Sequence, residues 1–172
     1  VKRWTALLTG LFVSCAASAV EPYAGVSYVH ATYDEDGFPE FNPAALAVRF
    51  GAELNPNLAV EGRVGFGLGD DSKTIFGADV ALEIDNFYGA YVRAMLPTGS
   101  VTPYLLLGYT HGKVTASTFA ASASESDSDA SYGVGVDLFA TKTTAINIEY
   151  AKLFEGEGYE VDGVSLGVAF KF

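Results

Sequence analysis

Ser165-Leu166-Gly167-Val168-Ala169-Phe170-Lys171-Phe172 closes this chain of 172 residues, and its alternation decides the fold. Read as an extended segment, Val164, Leu166, Val168, Phe170 and Phe172 share one side, while Ser165, Gly167, Ala169 and Lys171 share the other. Successive side chains of a strand point to opposite faces, so the segment carries a continuous apolar row backed by small or polar residues. Such a strand suits a wall between lipid and a polar interior. A final Phe is also unusual for a soluble chain, whose ends are normally polar and frayed.

The other end of the sequence agrees. Lys2 and Arg3 form a short basic region, Trp4 to Val13 is mostly apolar, and Ala17-Ser18-Ala19 supplies small residues where a signal peptidase reads. The apolar run is too short to cross a bilayer as a helix, which needs about 20 residues. Residues 1–19 are therefore expected to be a signal peptide cleaved after Ala19, and residues 20–172 one β-barrel domain. The rival reading lipidates Cys15, the only cysteine, but Phe12-Val13-Ser14 in front of it lacks the usual Leu. Cleavage after Ala19 leaves no cysteine to mispair during export through an oxidising compartment.

Hydrophobic residues make up 49% of the chain, and no run after residue 19 is long enough for a transmembrane helix. Membrane residence then requires a closed barrel, the other structure that satisfies every backbone group in lipid. Loss of Lys2 and Arg3 with the leader takes the formal charge from -11 to about -13. That acidity argues against nucleic acid as a partner, since nucleic-acid binders need basic patches.

From Tyr23 onward the sequence reads as strand and turn, with no helical period. A first strand covers about 23–33. A second, about 44–54, sets Leu46, Val48, Phe50, Ala52 and Leu54 against Arg49, Gly51 and Glu53. Asn55-Pro56-Asn57 is a tight turn, because Pro fixes φ and Asn tolerates left-handed geometry. A third strand, about 58–68, sets Val60, Val64 and Phe66 against Glu61, Arg63 and Gly65. The fourth ends at Leu96-Pro97 with Tyr88, Ala90, Val92 and Ala94 outward; Val80, Leu82 and Ile84 keep that phase, so it starts as early as Phe76. The fifth carries Leu105, Leu107 and Tyr109 outward, the sixth (131–140) Tyr132, Val134, Val136 and Leu138, and the seventh Ile146, Ile148 and Tyr150. The terminal segment is the eighth. Connections near 55–57, 97–100 and 141–143 are short, whereas those near 34–43, 69–79, 116–130 and 155–160 are longer and polar. The expectation is all-β: an eight-stranded, antiparallel, up-and-down transmembrane barrel with its short turns in the periplasm.

In this phase Arg49, Glu53, Glu61, Arg63, Arg93, Asp137, Glu149 and Lys171 face inward. A charge out of water needs a partner, so these residues are expected to form a network of ion pairs. Eight strands leave an interior that side chains fill. Inward glycines, among them Gly51, Gly65, Gly89, Gly108 and Gly135, are expected to make room for the long Arg and Glu side chains. The competing reading makes Arg49, Glu53, Glu61 and Arg63 a selectivity constriction.

Neither His30 nor His111 has a Ser and a carboxylate at a spacing that suggests catalysis, so no enzyme activity is expected. The small-barrel lipases and deacylases carry His-x-Ser, where this chain reads His30-Ala31-Thr32 and His111-Gly112-Lys113. Asp34-Glu35-Asp36-Gly37, Asp70-Asp71 and Glu125-Ser126-Asp127-Ser128-Asp129 lack a complete calcium-loop signature. They read as solvated loop charge, with no metal or cofactor expected, and the Ser/Ala/Asp run 116–131 reads as a low-complexity loop. Outward aromatics near strand ends suit interfacial girdles; inward Tyr23 and Tyr104 suit the interior instead.

Tyr23-Ala24-Gly25, Tyr88-Gly89-Ala90-Tyr91-Val92-Arg93 and Pro103-Tyr104-Leu105-Leu106-Leu107-Gly108-Tyr109 resemble the small eight-stranded outer-membrane β-barrel family, the porin-like group of the OmpA transmembrane-domain type. Ser165, Gly167, Phe170 and Phe172 match that family's C-terminal targeting strand, which implies delivery by the barrel-assembly machinery. The resemblance covers residues 20–172 and implies a bacterial outer-membrane location among lipid and lipopolysaccharide. It implies a structural or surface-interaction role: membrane integrity, adhesion or ligand contact through outer loops. A monomer is expected. A narrow channel is the alternative, and a soluble periplasmic lipocalin-like binder a further one.

Overall fold

The computed structural model describes residues 20–172 except 36, 38, 76, 77, 120, 157 and 158, so the expected signal peptide lies outside the described residues. The strands are β1 (Glu21–Glu35), β2 (Ala44–Asn55), β3 (Leu58–Gly69), β4 (Asp71–Ile75), β5 (Ala78–Met95), β6 (Val101–Thr118), β7 (Ser122–Phe139), β8 (Thr144–Gly156) and β9 (Tyr159–Lys171). Every pairing is antiparallel between chain neighbours, except that β3 pairs directly with β5 and β1 with β9. The β1–β9 ladder runs from Tyr23↔Lys171 to Glu35↔Tyr159 and closes the sheet. Where β3 stops, β4 takes its place beside the start of β5. Nine strands thus build eight walls of a closed barrel, which removes every sheet edge at membrane depth.

The alternation falls as the apolar rows require. Val26, Val48, Val64, Val92, Leu107, Val134, Ile148 and Leu166 form exposed outward rows, while their sequence neighbours are inside. Asn57 donates from its amide to the Met95 carbonyl at 3.0 Å, tying the 55–57 turn to the foot of β5. Thr98 and Thr141 fasten the other two short turns through their own backbone neighbours.

Three expectations are corrected. Leu82 and Ile84 do not share the outward phase of Tyr88; both are buried inside. The cause is a β-bulge at Asp85 in the β5–β6 register, since one extra residue reverses every side chain beyond it. A second bulge, at Leu153 in β8, turns Leu153 and Phe154 inward together. The run 116–131 is not a loop: β6 and β7 continue pairing from Val101↔Leu138 up to Ser117↔Ser122. Ser and Asp are poor strand formers, but a register established in the wall carries upward, and the run becomes a tall hairpin.

The third correction concerns the glycines. A Cβ at Gly51 would lie 2.5 Å from the Tyr23 ring, and one at Gly65, Gly108 or Gly135 would overlap Phe87, Tyr91 or Tyr104 respectively. These glycines make room for aromatic rings from the neighbouring strand, not for Arg and Glu. Gly25 is where room goes to a cation: a Cβ there would lie 2.9 Å from Arg49 Nε.

Candidate functional site

Alternation alone delivers the interior charges, because each sits at an inward position of its strand. Arg49 comes from β2, Glu61 and Arg63 from β3, Arg93 from β5, Asp137 from β7, and Asn147 and Glu149 from β8. Arg63 lies at the centre. Its Nη1 and Nη2 donate to Glu149 Oε1 and Oε2 at 2.5 and 2.8 Å, a two-point clamp, and its Nε donates to Glu61 Oε1 at 2.6 Å. Arg93 Nη2 donates to Asp137 Oδ2 at 2.5 Å, with its Nη1 3.4 Å from Glu61 Oε2. Planar guanidinium forks match carboxylates in this way, whereas a lysine would offer a single point charge.

The aromatic rings are part of the same construction. Tyr23 OH donates to Glu61 Oε2 and Tyr104 OH to Glu149 Oε2, both at 2.7 Å. Asn147 Nδ2 donates to Tyr104 OH and to Asp137 Oδ1 at 2.7 Å, joining the two ion-pair groups. The Arg93 guanidinium stacks 3.8 Å from the Tyr104 ring centre, and that of Arg63 4.7 Å from Tyr91. The alternation places Tyr23 and Tyr104 inside, but their bridging role, and that of Asn147, appears only once the register is known.

Three cations (Arg49, Arg63, Arg93) face three anions (Glu61, Asp137, Glu149), so this layer is neutral. Arg49 is the loosest member. It is 2% exposed, its Nη2 is 3.9 Å from Asp137 Oδ1, and its Nε and Nη2 have no hydrogen-bond partner. Beside it is a cavity of about 20 Å³ lined in part by Ser27, Arg63, Asn147 and Ser165, room for one water.

Above the charges a polar chain runs from Tyr91 OH through Thr110 (2.5 Å) and Ser131 (2.6 Å) to the Leu153 carbonyl (3.0 Å). Over it lies an apolar layer of Val29, Ala31, Ile84, Phe87, Leu153 and Phe154. The two bulges turn Ile84 and Phe154 into this layer, and adjacent Leu153-Phe154 is a trace of it in the sequence. At the opposite end Lys171 Nζ lies 2.7 Å from Glu53 Oε1 and 4.8 Å from the Phe139 ring centre. That pair is partly solvated, so Lys171→Ala is expected to cost no more than about 1 kcal/mol in a urea titration of the folded barrel.

His111 corrects a further expectation. Its Nδ1 is 2.6 Å from Ser128 Oγ, because β6 and β7 pair His111 with Ser128, and its ring lies 4.9 Å from that of Tyr88. Among the described residues no carboxylate is hydrogen-bonded to it, and no cluster of His, Cys, Asp and Glu is arranged to hold a metal ion. Tyr28, Phe66, Tyr88, Tyr109, Tyr132 and Tyr150 stand on outward rows toward the end with the long hairpins, and Phe170 and Phe172 at the other. Tyr23 and Tyr104 are inside.

A closed barrel with an apolar exterior, aromatic residues toward both ends and a charged lumen inverts the usual soluble arrangement. The model of the outer membrane protein beta-barrel domain matches residues 4–172. The chain belongs to that family. It is similar to the attachment invasion locus protein of Yersinia enterocolitica, 27% identical over 98% of each chain. The crystal structure of Ail, the attachment invasion locus protein of Yersinia pestis, superposes with a TM-score of 0.66 at 22% identity, covering 88% of this chain and 98% of that one. Neisserial surface protein A superposes with a TM-score of 0.72 at 15% identity, covering 90% of this chain and all of that one. As a member of the outer-membrane barrel family it resides in the bacterial outer membrane.

Proposed function

We propose that this barrel is a sealed, non-enzymatic scaffold that makes surface contacts through its outer hairpins. The observation that carries this is the Arg63–Glu149–Glu61 clamp lying across the lumen, backed by the apolar layer above it. The arrangement supports a plug of ion pairs made by Arg49, Glu61, Arg63, Arg93, Asp137 and Glu149, with Glu53 and Lys171 closing the periplasmic foot. The outer end carries Asp34, Glu35, Asp70, Glu83, Glu125, Asp127, Asp129, Glu155 and Glu160, against Lys73, Lys113 and Lys152. Ail of Yersinia pestis has been crystallised with the heparin analogue sucrose octasulfate, a polyanion. The acidic hairpins of this chain favour contacts with positively charged surfaces instead.

A narrow channel is the second reading, favoured by the partnerless Arg49 nitrogens beside an internal cavity. Planar-bilayer recording separates the two. The sealed scaffold gives silent bilayers although the protein migrates as a folded, heat-modifiable band. Steady conductance altered by Arg63→Ala would replace it with a channel. The barrel is further proposed to be a monomer in contact with lipopolysaccharide. Ser165, Gly167, Phe170 and Phe172 are proposed to present the assembly machinery with its signal; Ser165→Asp with Phe172→Ala should then lower the amount of folded barrel in isolated outer membranes.

A further inference from the structure

A pocket of about 310 Å³ opens at the outer mouth, above the apolar layer and separate from the ion pairs. Its floor is Ile84, Phe87, Leu153, Phe154 and Val161. Its rim carries the carboxylates of Glu35, Glu125 and Asp127. The rim cation Lys113 is already held by Asp85, at 2.8 Å. Tyr33 and Tyr159 stack on the same rim with ring centres 6.1 Å apart and planes 17° from parallel. Their hydroxyls donate to Glu35 and Asp127 respectively, which fixes two of the carboxylates at the mouth. Burial, together with Glu35 and Glu125 nearby, holds the Tyr33 hydroxyl above its ordinary pKa, in keeping with a negative local field.

A concave apolar floor with a few convergent polar groups is the general form of a small-molecule site. Here Lys113 is paired with Asp85, Asn86 is neutral, and the remaining charges, Glu35, Glu125 and Asp127, are all negative. Two tyrosine rings stand beside them, where a cation is attracted by the ring quadrupole. We infer that this vestibule binds a small organic cation, a protonated amine on an apolar or aromatic body. The amine sits among Glu35, Glu125 and Asp127, and the body packs against Leu153, Phe154 and Phe87. A compact anion or a sugar would meet like charge at the rim or an apolar floor that offers no hydrogen bonds. The inference rests on the surface-contact reading only in placing this mouth outside the cell.

Tryptamine is the probe. Trp4 is the only tryptophan of the chain, so indole emission has little background from the folded barrel. The protein, purified from outer membranes into nanodiscs of zwitterionic lipid, is titrated against tryptamine fluorescence anisotropy. Indole-3-propionate, with the same body and opposite charge, serves as control. Tryptamine is expected to bind and indole-3-propionate to bind at least tenfold more weakly. E35Q/E125Q/D127N is expected to raise the tryptamine Kd tenfold or more, and so is V161F, which fills the floor; both should retain the heat-modifiable band. Equal binding of the two probes, no binding above empty nanodiscs, or an unchanged Kd in the folded triple variant would overturn the inference. Bilayer recordings on the same preparations test the sealed scaffold separately, so either idea can fail while the other stands.

Discussion

Replacing Arg63 with alanine is expected to lower the unfolding free energy by about 3–5 kcal/mol. One side chain supplies three short hydrogen bonds to two carboxylates, and Glu61 and Glu149 are both nearly inaccessible to solvent. Its removal leaves three buried anions facing two cations, with Glu149 keeping Tyr104 OH as its main donor. The cost comes from the stranded charge more than from the lost attraction. Replacing Arg63 and Glu149 together by methionine should therefore restore part of the stability that Arg63→Ala removes. Urea midpoints, read by the folded-band shift on gels for the wild type, the single and the double variant, check both statements. A loss below 1 kcal/mol for Arg63→Ala would mean that water reaches this layer freely and the lumen is open.

Gly108→Val is expected to cost about 3 kcal/mol, through overpacking. A Cβ at that position would overlap both the Tyr91 ring and the Ala90 carbonyl oxygen on the paired strand. The carbonyl belongs to the β5–β6 ladder and cannot retreat. The ring is held by Thr110 on one side and by the Arg63 guanidinium over its face. Gly69→Ala is the matched control, because no atom lies within 4 Å of the added Cβ, and it should stay within about 0.5 kcal/mol of wild type. Thermal gel-shift midpoints on the pair suffice; equal midpoints would rule out ring-over-glycine packing as a stabilising feature of this wall.

The walls of the barrel were legible in the sequence because a period of two is a local property. Leu46, Val48 and Phe50 declare their side without reference to any other strand, and Arg49 between them must then face inward. The two bulges were not legible. Asp85 occupies a stretch that reads as continuous alternation, and Leu153 lies beyond the last alternating residue of its strand. Only the pairing with β6 and β9 shows that one residue is unmatched in each. Beyond those points alternation gives the wrong face for Leu82 and Ile84 and none for Leu153 and Phe154, so most of the floor of the outer pocket is hidden from it. The bridging of the charge layer was hidden for a related reason. That Tyr23 lies over Gly51 and reaches Glu61 depends on cross-strand register, which alternation does not encode. The tall β6–β7 hairpin failed on composition: Ser, Ala and Asp read as a loop, while hydrogen bonding to an already ordered neighbour held them extended.

The height of that hairpin has a consequence for what the cell surface presents. From Ser131 up to Ser122 the chain climbs ten residues beyond the charged lumen. At about 3.3 Å per residue that is roughly 33 Å along the strand, or about 25 Å along the membrane normal at a tilt near 40°. A lipid headgroup region is only about 5–8 Å deep. In the proposed orientation the hairpin is therefore a stalk whose upper strands stand clear of the bilayer. A molecule that approaches the mouth along this hairpin passes its acidic flank of Glu125, Asp127 and Asp129.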